Sequence, residues 1–335
     1  MACTVSSMSH AKTYSVNLSQ PSVAYRFLIL VAAVLYGAVL SQIPDETFKD
    51  FANYLAYAEH SWHRLFGFAQ LGTAPMLANE PVWLLLNAAL SIHLPPESVV
   101  RVTIFFSASS VAWLILRHHP RQFLWLICFL LLPMVMKNHL IHLRQGAAIA
   151  VFLWGWYSTG SVRRWLWMGL APFIHASFFF VLALLFLSKV MQRLRLGAEI
   201  RALGFLLFGS VVGLSLGWIA QLAGARQAQE YEFSAADISG LGFLVWFVVA
   251  VVWMSEGRSF LKRYAFETGI ILFYLSTYWF IEVTARIFES GVILVLIAGL
   301  TLTQWRRFVI LAVVLALGLL SWLMRLGQPG MGFVA

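Results

Sequence analysis

Long apolar stretches separated by short polar or basic loops run through the chain. The runs at 23–41, 99–116, 122–136, 145–158, 202–222, 238–254, 265–281, 287–303 and 308–323 read as membrane spans, since a spanning helix needs about 20 predominantly apolar residues. Two further apolar stretches fit less simply. Pro81–Leu94 is too short to cross and reads as a re-entrant or interfacial helix. Trp165–Ser188 is long enough to span, but Pro172 and His175 interrupt it near its middle. The pattern predicts an all-α polytopic transmembrane bundle of about nine to eleven membrane segments, re-entrant or broken helices included.

Composition agrees with the pattern. The chain has 335 residues, 61% of them hydrophobic and only 11% charged, with a mean hydropathy of +0.80. The expected organisation is a cytoplasmic tail over 1–22, a single membrane domain over 23–325 with a large outer loop at 42–80, and a tail at 326–335. The polar start carries Lys12 and no basic cluster, so Val23–Leu40 reads as an uncleaved first span rather than a signal peptide. The net charge of +9 sits in short loops between spans, where it orients the chain and does not point to nucleic acid. Cys3 and Cys128 are too few and too far apart for a disulfide framework or a metal site.

Charge chooses between topologies. The loops Arg117–Arg121, Arg163-Arg164, Lys189–Arg201, Glu256–Arg263 and Arg306-Arg307 are all basic and belong on the cytoplasmic side. All five share that side only if 81–94 does not cross and 165–188 enters and returns as a hairpin. Two full crossings would instead place 189–201 outside. The hairpin arrangement puts the N-terminus inside, and 42–98, 137–144 and the acidic loop 223–237 outside.

On that outer face the cluster Lys137-Asn138-His139-Leu140-Ile141-His142-Leu143-Arg144-Gln145-Gly146 is not explained as an orientation signal. With Asn138 as cap, Arg144 lies about two turns into a helix, roughly 9 Å deep. An arginine at a helix N-terminus makes an anion site; the plainer reading is a snorkelling arginine with two packing histidines. His175 follows Pro172 at the turn of the predicted hairpin, either as a packing residue or as a proton shuttle or donor to phosphate. Tyr274, Tyr278, Glu282 and Arg286 recur every four residues and predict one polar stripe facing the bundle interior. Within it Glu282 and Arg286 form either a self-neutralising pair or a second phosphate clamp. In the outer loop, Phe48, Phe51, Leu55, Trp62 and Leu65 predict an amphipathic surface helix, whose polar positions include Asp50 and Tyr54. Glu80, ahead of Pro81, is a helix-start residue and also the best-placed carboxylate for a general base. No metal-ligand spacing, phosphate-binding loop, dinucleotide fingerprint or nucleophile elbow is present, so no cofactor is expected.

The order of these features resembles the Wzy-type O-antigen and exopolysaccharide polymerases, in particular their EpsG-like branch. Asp50 and Tyr54 precede Glu80-Pro81. Then comes His-Leu-Arg-Gln-Gly-Ala-Ala-Ile-Ala at 142–150, similar to that family's Arg-Gln-(Gly/Ala)-x-Ala helix start. Ile-His-Ala-Ser at 174–177 is similar to its Phe-His-x-Ser, and Arg286 opens a further helix. Ile174 and Ala176 depart from the usual residues, and Asp45 and Asp50 lack the family's Gly-x-Asp-x-x-Tyr context. The resemblance implies a GT-C-like glycosyltransferase in the bacterial inner membrane with a periplasmic active site. It would pass a growing glycan from undecaprenyl pyrophosphate to the non-reducing end of an incoming lipid-linked repeat unit. Arg144, Arg286, His142 and Lys137 would bind pyrophosphate, while His175, Glu80 and Asp50 would be catalytic. Tyr54, Tyr278 and Glu282 would contact sugar, with no metal. The implied partners are the lipid-linked glycan and the bilayer, with a chain-length regulator and a flippase as further candidates. A flippase or exporter of lipid-linked glycan, and a related glycan ligase, are the rival readings.

Overall fold

The computed structural model describes residues 22–43, 48, 50–222, 224, 240–280 and 284–328, and among them the chain is a polytopic helical bundle with no strands. The first helices are α1 (Val23–Gln42), α2 (Phe51–Leu71), α3 (Thr73–Ala78), α4 (Pro81–Ser91) and α5 (Pro96–His118). Next come α6 (Phe123–Leu130), α7 (Pro133–Leu140), α8 (Leu143–Trp156), α9 (Ser161–Leu170), α10 (Ser177–Arg193) and α11 (Ala198–Leu222). The last are α12 (Leu241–Met254), α13 (Arg258–Arg263), α14 (Ala265–Thr277), α15 (Thr284–Gly299) and α16 (Gln304–Arg325).

Four helices, α1, α5, α11 and α16, are long and apolar enough to cross a membrane. Only 22%, 28% and 22% of the apolar windows of α1, α11 and α16 are buried in protein, which makes these three the lipid-facing perimeter. Their inner neighbours are shorter. Helices α8, α14 and α15 have 14, 13 and 16 residues, roughly 20–24 Å at 1.5 Å per residue, against a hydrocarbon core of about 30 Å. Protein shelters them: every residue of α15 from Ile287 to Gly299 is buried, and α7, α8, α10, α14 and α16 all pack on it. Helix α1 lies closely along α5 because Gly37 has no side chain; a Cβ there would meet the Ser109 hydroxyl and the Phe105 carbonyl.

The predicted single span 122–136 is in fact two helices. Pro133 opens α7, and the turn-and-helix segment Pro120–Leu130 meets Pro133–Leu140 at 73°. Proline lacks the N–H that would continue the first helix. Asn138 therefore does not cap the next helix. It lies in the last turns of α7, His142 is the cap of α8, and Arg144 sits in the first turn of α8 rather than two turns in. Both Ile141 and His142 donate their N–H to the Lys137 carbonyl, which closes α7 and frees the chain to start again. Gly146 completes the corner, since a Cβ there would strike the Asn138 carbonyl.

The interrupted stretch 165–188 doubles back. Helix α9 runs into a 3-10 turn at Ala171–Phe173, and α10 starts at Ser177. Lys189 Nζ lies 4.2 Å above the Trp165 ring, so the two limbs come together away from the apex, where two full crossings would set these residues about 30 Å apart. The hairpin apex carries His175. At the opposite end the basic loops are tied to their neighbours. Tyr25 donates to the Pro120 carbonyl (2.6 Å), His119 pairs with Tyr157 (3.0 Å), and Arg258 pairs with Glu199 (2.5 Å). Glu256 accepts from the Thr303 N–H and hydroxyl.

The outer-loop helix forms as α2, with Phe51, Tyr54, Tyr57, Ala58 and Ser61 buried. Phe48 is buried too, whereas Trp62 is exposed and stacks edge-on with Phe66. In a background lacking Cys3 and Cys128, cysteines at Ser161 and Arg195 should both react with a membrane-impermeant thiol reagent from one side of the membrane, and one at Asn53 from the other. Labelling of positions 161 and 195 from opposite sides would mean a full crossing.

Candidate functional site

Four helix starts converge at the end of the bundle away from the basic loops. Glu80 precedes α4, His142 and Arg144 open α8, His175 and Ala176 precede α10, and Arg286 lies in the first turn of α15. Asp50, the residue before α2, joins them. Asp50, Tyr54, His142, Arg144, Gln145, His175 and Arg286 line one cleft of about 20 Å³. That is room for about one water, so a larger ligand must widen it.

Glu80 lies behind the lining residues and is almost fully buried (3% exposed). Its side chain does not cap its own helix. One oxygen takes the Arg144 guanidinium. The other takes His175 Nδ1 at 2.9 Å and the Ala176 N–H at 3.2 Å. The last contact satisfies an N–H left over where the hairpin breaks, at the positive end of α10. Glu80 stands outside the spanning helices. Burial alone would raise its carboxyl, but Arg144 and His175 outweigh this and hold it well below the usual carboxylate range. Its backbone is left-handed (φ 60°, ψ 54°), a conformation that disfavours any residue with a Cβ and costs about 1–2 kcal/mol. Such strain persists where surrounding contacts over-determine it; here three donors to one carboxylate do so.

Aromatic rings form the wall beneath Arg144. Tyr57 lies under its guanidinium at 5.4 Å and under Arg64 at 4.5 Å. Tyr54 and Tyr57 both meet Trp83 edge-on, at 6.0 and 6.2 Å. Across the cleft, His142 Nδ1 stands 3.8 Å from an Asp50 oxygen, so the starts of α2 and α8 lie side by side. Gln145 donates its amide to the Arg286 carbonyl at 2.8 Å and so joins α8 to α15. Ser290 donates to the same carbonyl (3.0 Å) and lies 2.7 Å from Ser177 on α10.

Of the residues singled out from sequence, Asp50, Tyr54, His142, Arg144, His175 and Arg286 meet at the cleft, with Glu80 directly behind it. Two go elsewhere. Lys137 forms a 2.6 Å ion pair with the buried Glu289 and does not line the cleft. Tyr278 packs among Tyr274, Phe243 and Trp279. The predicted four-residue stripe is broken: α14 ends at Thr277 and Arg286 belongs to α15. Thr284 donates to the Thr277 carbonyl across the break (3.0 Å). Glu282 lies outside the described residues. Sequence reasoning gave Gln145 no role, and it set Tyr57 only among the polar and aromatic positions of the outer-loop helix that suit sugar. Gln145 adjoins Arg144 in the quoted motif, and Tyr57 stands one helical turn after Tyr54. Among the described residues no three His, Cys, Asp or Glu side chains are grouped to hold a metal ion.

The arrangement offers two guanidiniums, the N-terminus of α8, a histidine backed by the Glu80 carboxylate, and a second carboxylate facing the cleft. Such a set of groups is able to hold an anion beside a proton acceptor. No curated protein and no solved structure matches the chain. The EpsG family profile, by contrast, matches residues 24–334, nearly all of it. The chain belongs to the EpsG family.

Proposed function

We propose that this chain is a polysaccharide polymerase of the bacterial inner membrane. It would transfer a growing glycan from undecaprenyl pyrophosphate to the non-reducing end of an incoming lipid-linked repeat unit, at a cleft open to the periplasm. Membership of the EpsG family supports a polymerase-type membrane protein. The observation that carries the finer reading is the pairing of Arg144 and Arg286 across one cleft, each in the first turn of its helix. Two guanidiniums and a helix N-terminus suit a pyrophosphate leaving group, whose negative charge grows as the glycosidic bond to phosphate breaks.

In this reading the acceptor hydroxyl attacks the anomeric carbon. The new C–O bond forms, the bond to pyrophosphate breaks, and the hydroxyl proton passes to a carboxylate. Asp50 is the better base than Glu80 because it faces the cleft, whereas Glu80 is fully engaged by three donors. Glu80 then acts through others, aiming Arg144 and holding His175. With Nδ1–H donated to Glu80, the other ring nitrogen of His175 is left to exchange a proton with the phosphate. Tyr54 supplies a ring and a hydroxyl for sugar. Lys137 supports the site indirectly, by neutralising Glu289 one turn beyond Arg286. The polar end lies opposite the basic loops, as a periplasmic site requires under the positive-inside rule.

Deleting the gene should leave surface glycan as single capped repeat units on a gel. Loss of every glycan band would favour a flippase or a ligase instead. Restoring the gene with Arg144→Ala or Arg286→Ala should fail to restore the polymer ladder; an intact ladder would remove that arginine from the pyrophosphate site. Asp50→Asn should lower turnover by about 10²–10⁴-fold, the usual range for loss of a general base, with binding of lipid pyrophosphate kept. Wild-type turnover in that variant would return the proton to another group.

A further inference from the structure

Gln145 is a fully buried side chain (0% exposed) on the wall of the cleft. Its amide orientation is settled by its neighbours. Nε2 points at the Arg286 carbonyl, 2.8 Å away, and the flipped amide would set two oxygens against each other at that distance. The Ser290 hydroxyl donates to the same carbonyl. The Gln145 oxygen is thus not the atom that pairs with the Arg286 carbonyl, and among the described residues it has no hydrogen-bond partner. A buried acceptor without a donor is costly, and most such groups in proteins are satisfied.

What surrounds it narrows the missing donor. The arginines and histidines beside Gln145 are matched to negative charge, and Asp50 is the carboxylate on the same wall. Gln145 lines the same cleft as Arg144, so its acceptor shares that small space with a phosphate bound there. On a sugar pyrophosphate, the donor-bearing group nearest the phosphate is the substituent at C2, one carbon from the anomeric centre. We infer that Gln145 reads that substituent, accepting a hydrogen bond from a 2-hydroxyl or a 2-acetamido N–H, and so selects lipid-linked donors that carry one. This rests on the reading of the cleft as a pyrophosphate site.

The test uses the purified full-length protein in nanodiscs and four synthetic short-chain prenyl pyrophosphates. One is unglycosylated, and the others carry glucose, 2-deoxyglucose or N-acetylglucosamine. Wild type should bind the glucose or the N-acetylglucosamine probe about 10- to 100-fold more tightly than the 2-deoxy probe, the range for leaving a buried acceptor unpaired. In Gln145→Met, close to glutamine in size, that ratio should fall to within about threefold of unity, over and above any loss shared by all four probes from freeing the Arg286 carbonyl. Equal wild-type binding of all three sugar probes overturns the inference, and does so without any variant. An undiminished preference in Gln145→Met, or an equal loss for all four probes, also overturns it. Failure of the unglycosylated probe to bind wild type removes the pyrophosphate reading itself, and this inference with it.

Discussion

One buried carboxylate holds the polar end of this bundle together. Glu80 comes from a short helix that does not cross the membrane. It accepts from Arg144 at the start of α8, and from His175 and Ala176 at the apex of the α9–α10 hairpin. Three chain segments far apart in sequence are thereby fixed around one negative charge. Each partner depends on the others: a buried ion that loses its counterion costs several kcal/mol, and the left-handed backbone at Glu80 persists only while those contacts do. The cleft in front of Glu80 takes its shape from this arrangement.

The fold supports that end by division of labour. Long lipid-facing helices form the perimeter and short helices form the interior. A helix that stops partway across exposes N–H groups that lipid cannot satisfy. Here those ends meet one another, so the same shortness that would be costly in lipid brings the charged side chains of the cleft together. The breaks at Pro133 and Ala171–Phe173 serve the same purpose, turning chain ends inward where charged groups can face each other.

Much of this was legible in the sequence. Apolar run length locates α1, α5, α11 and α16 to within a few residues, and the placement of arginines in short loops anticipates the returning hairpin. Charged residues in an apolar chain are few, so Asp50, His142, Arg144, His175 and Arg286 could be singled out before their meeting place was known. What periodicity could not convey was where helices stop. A four-residue repeat from Tyr274 to Arg286 looks like one face, yet the helix ends at Thr277, and a Thr284–Thr277 hydrogen bond bridges the break. The partner of Lys137 was equally hidden, because Glu289 lies in an apolar stretch 152 residues later and reaches it only through tertiary packing. Glu80 was legible as a carboxylate of interest, but its place behind the cleft depends on three long-range contacts that no local pattern encodes.

The central claim is that Glu80 and Arg144 act as one unit on which the polar end depends. Its most direct test is a double-mutant cycle on the melting temperature of the purified protein, with Glu80→Gln, Arg144→Gln and both together. Each single change should cost about 3–5 kcal/mol by leaving a buried charge unpaired. The double variant should be no less stable than the worse single one, a coupling well above the few tenths of a kcal/mol seen between independent sites. Losses that simply add, or a negligible loss in either single variant, would contradict the account.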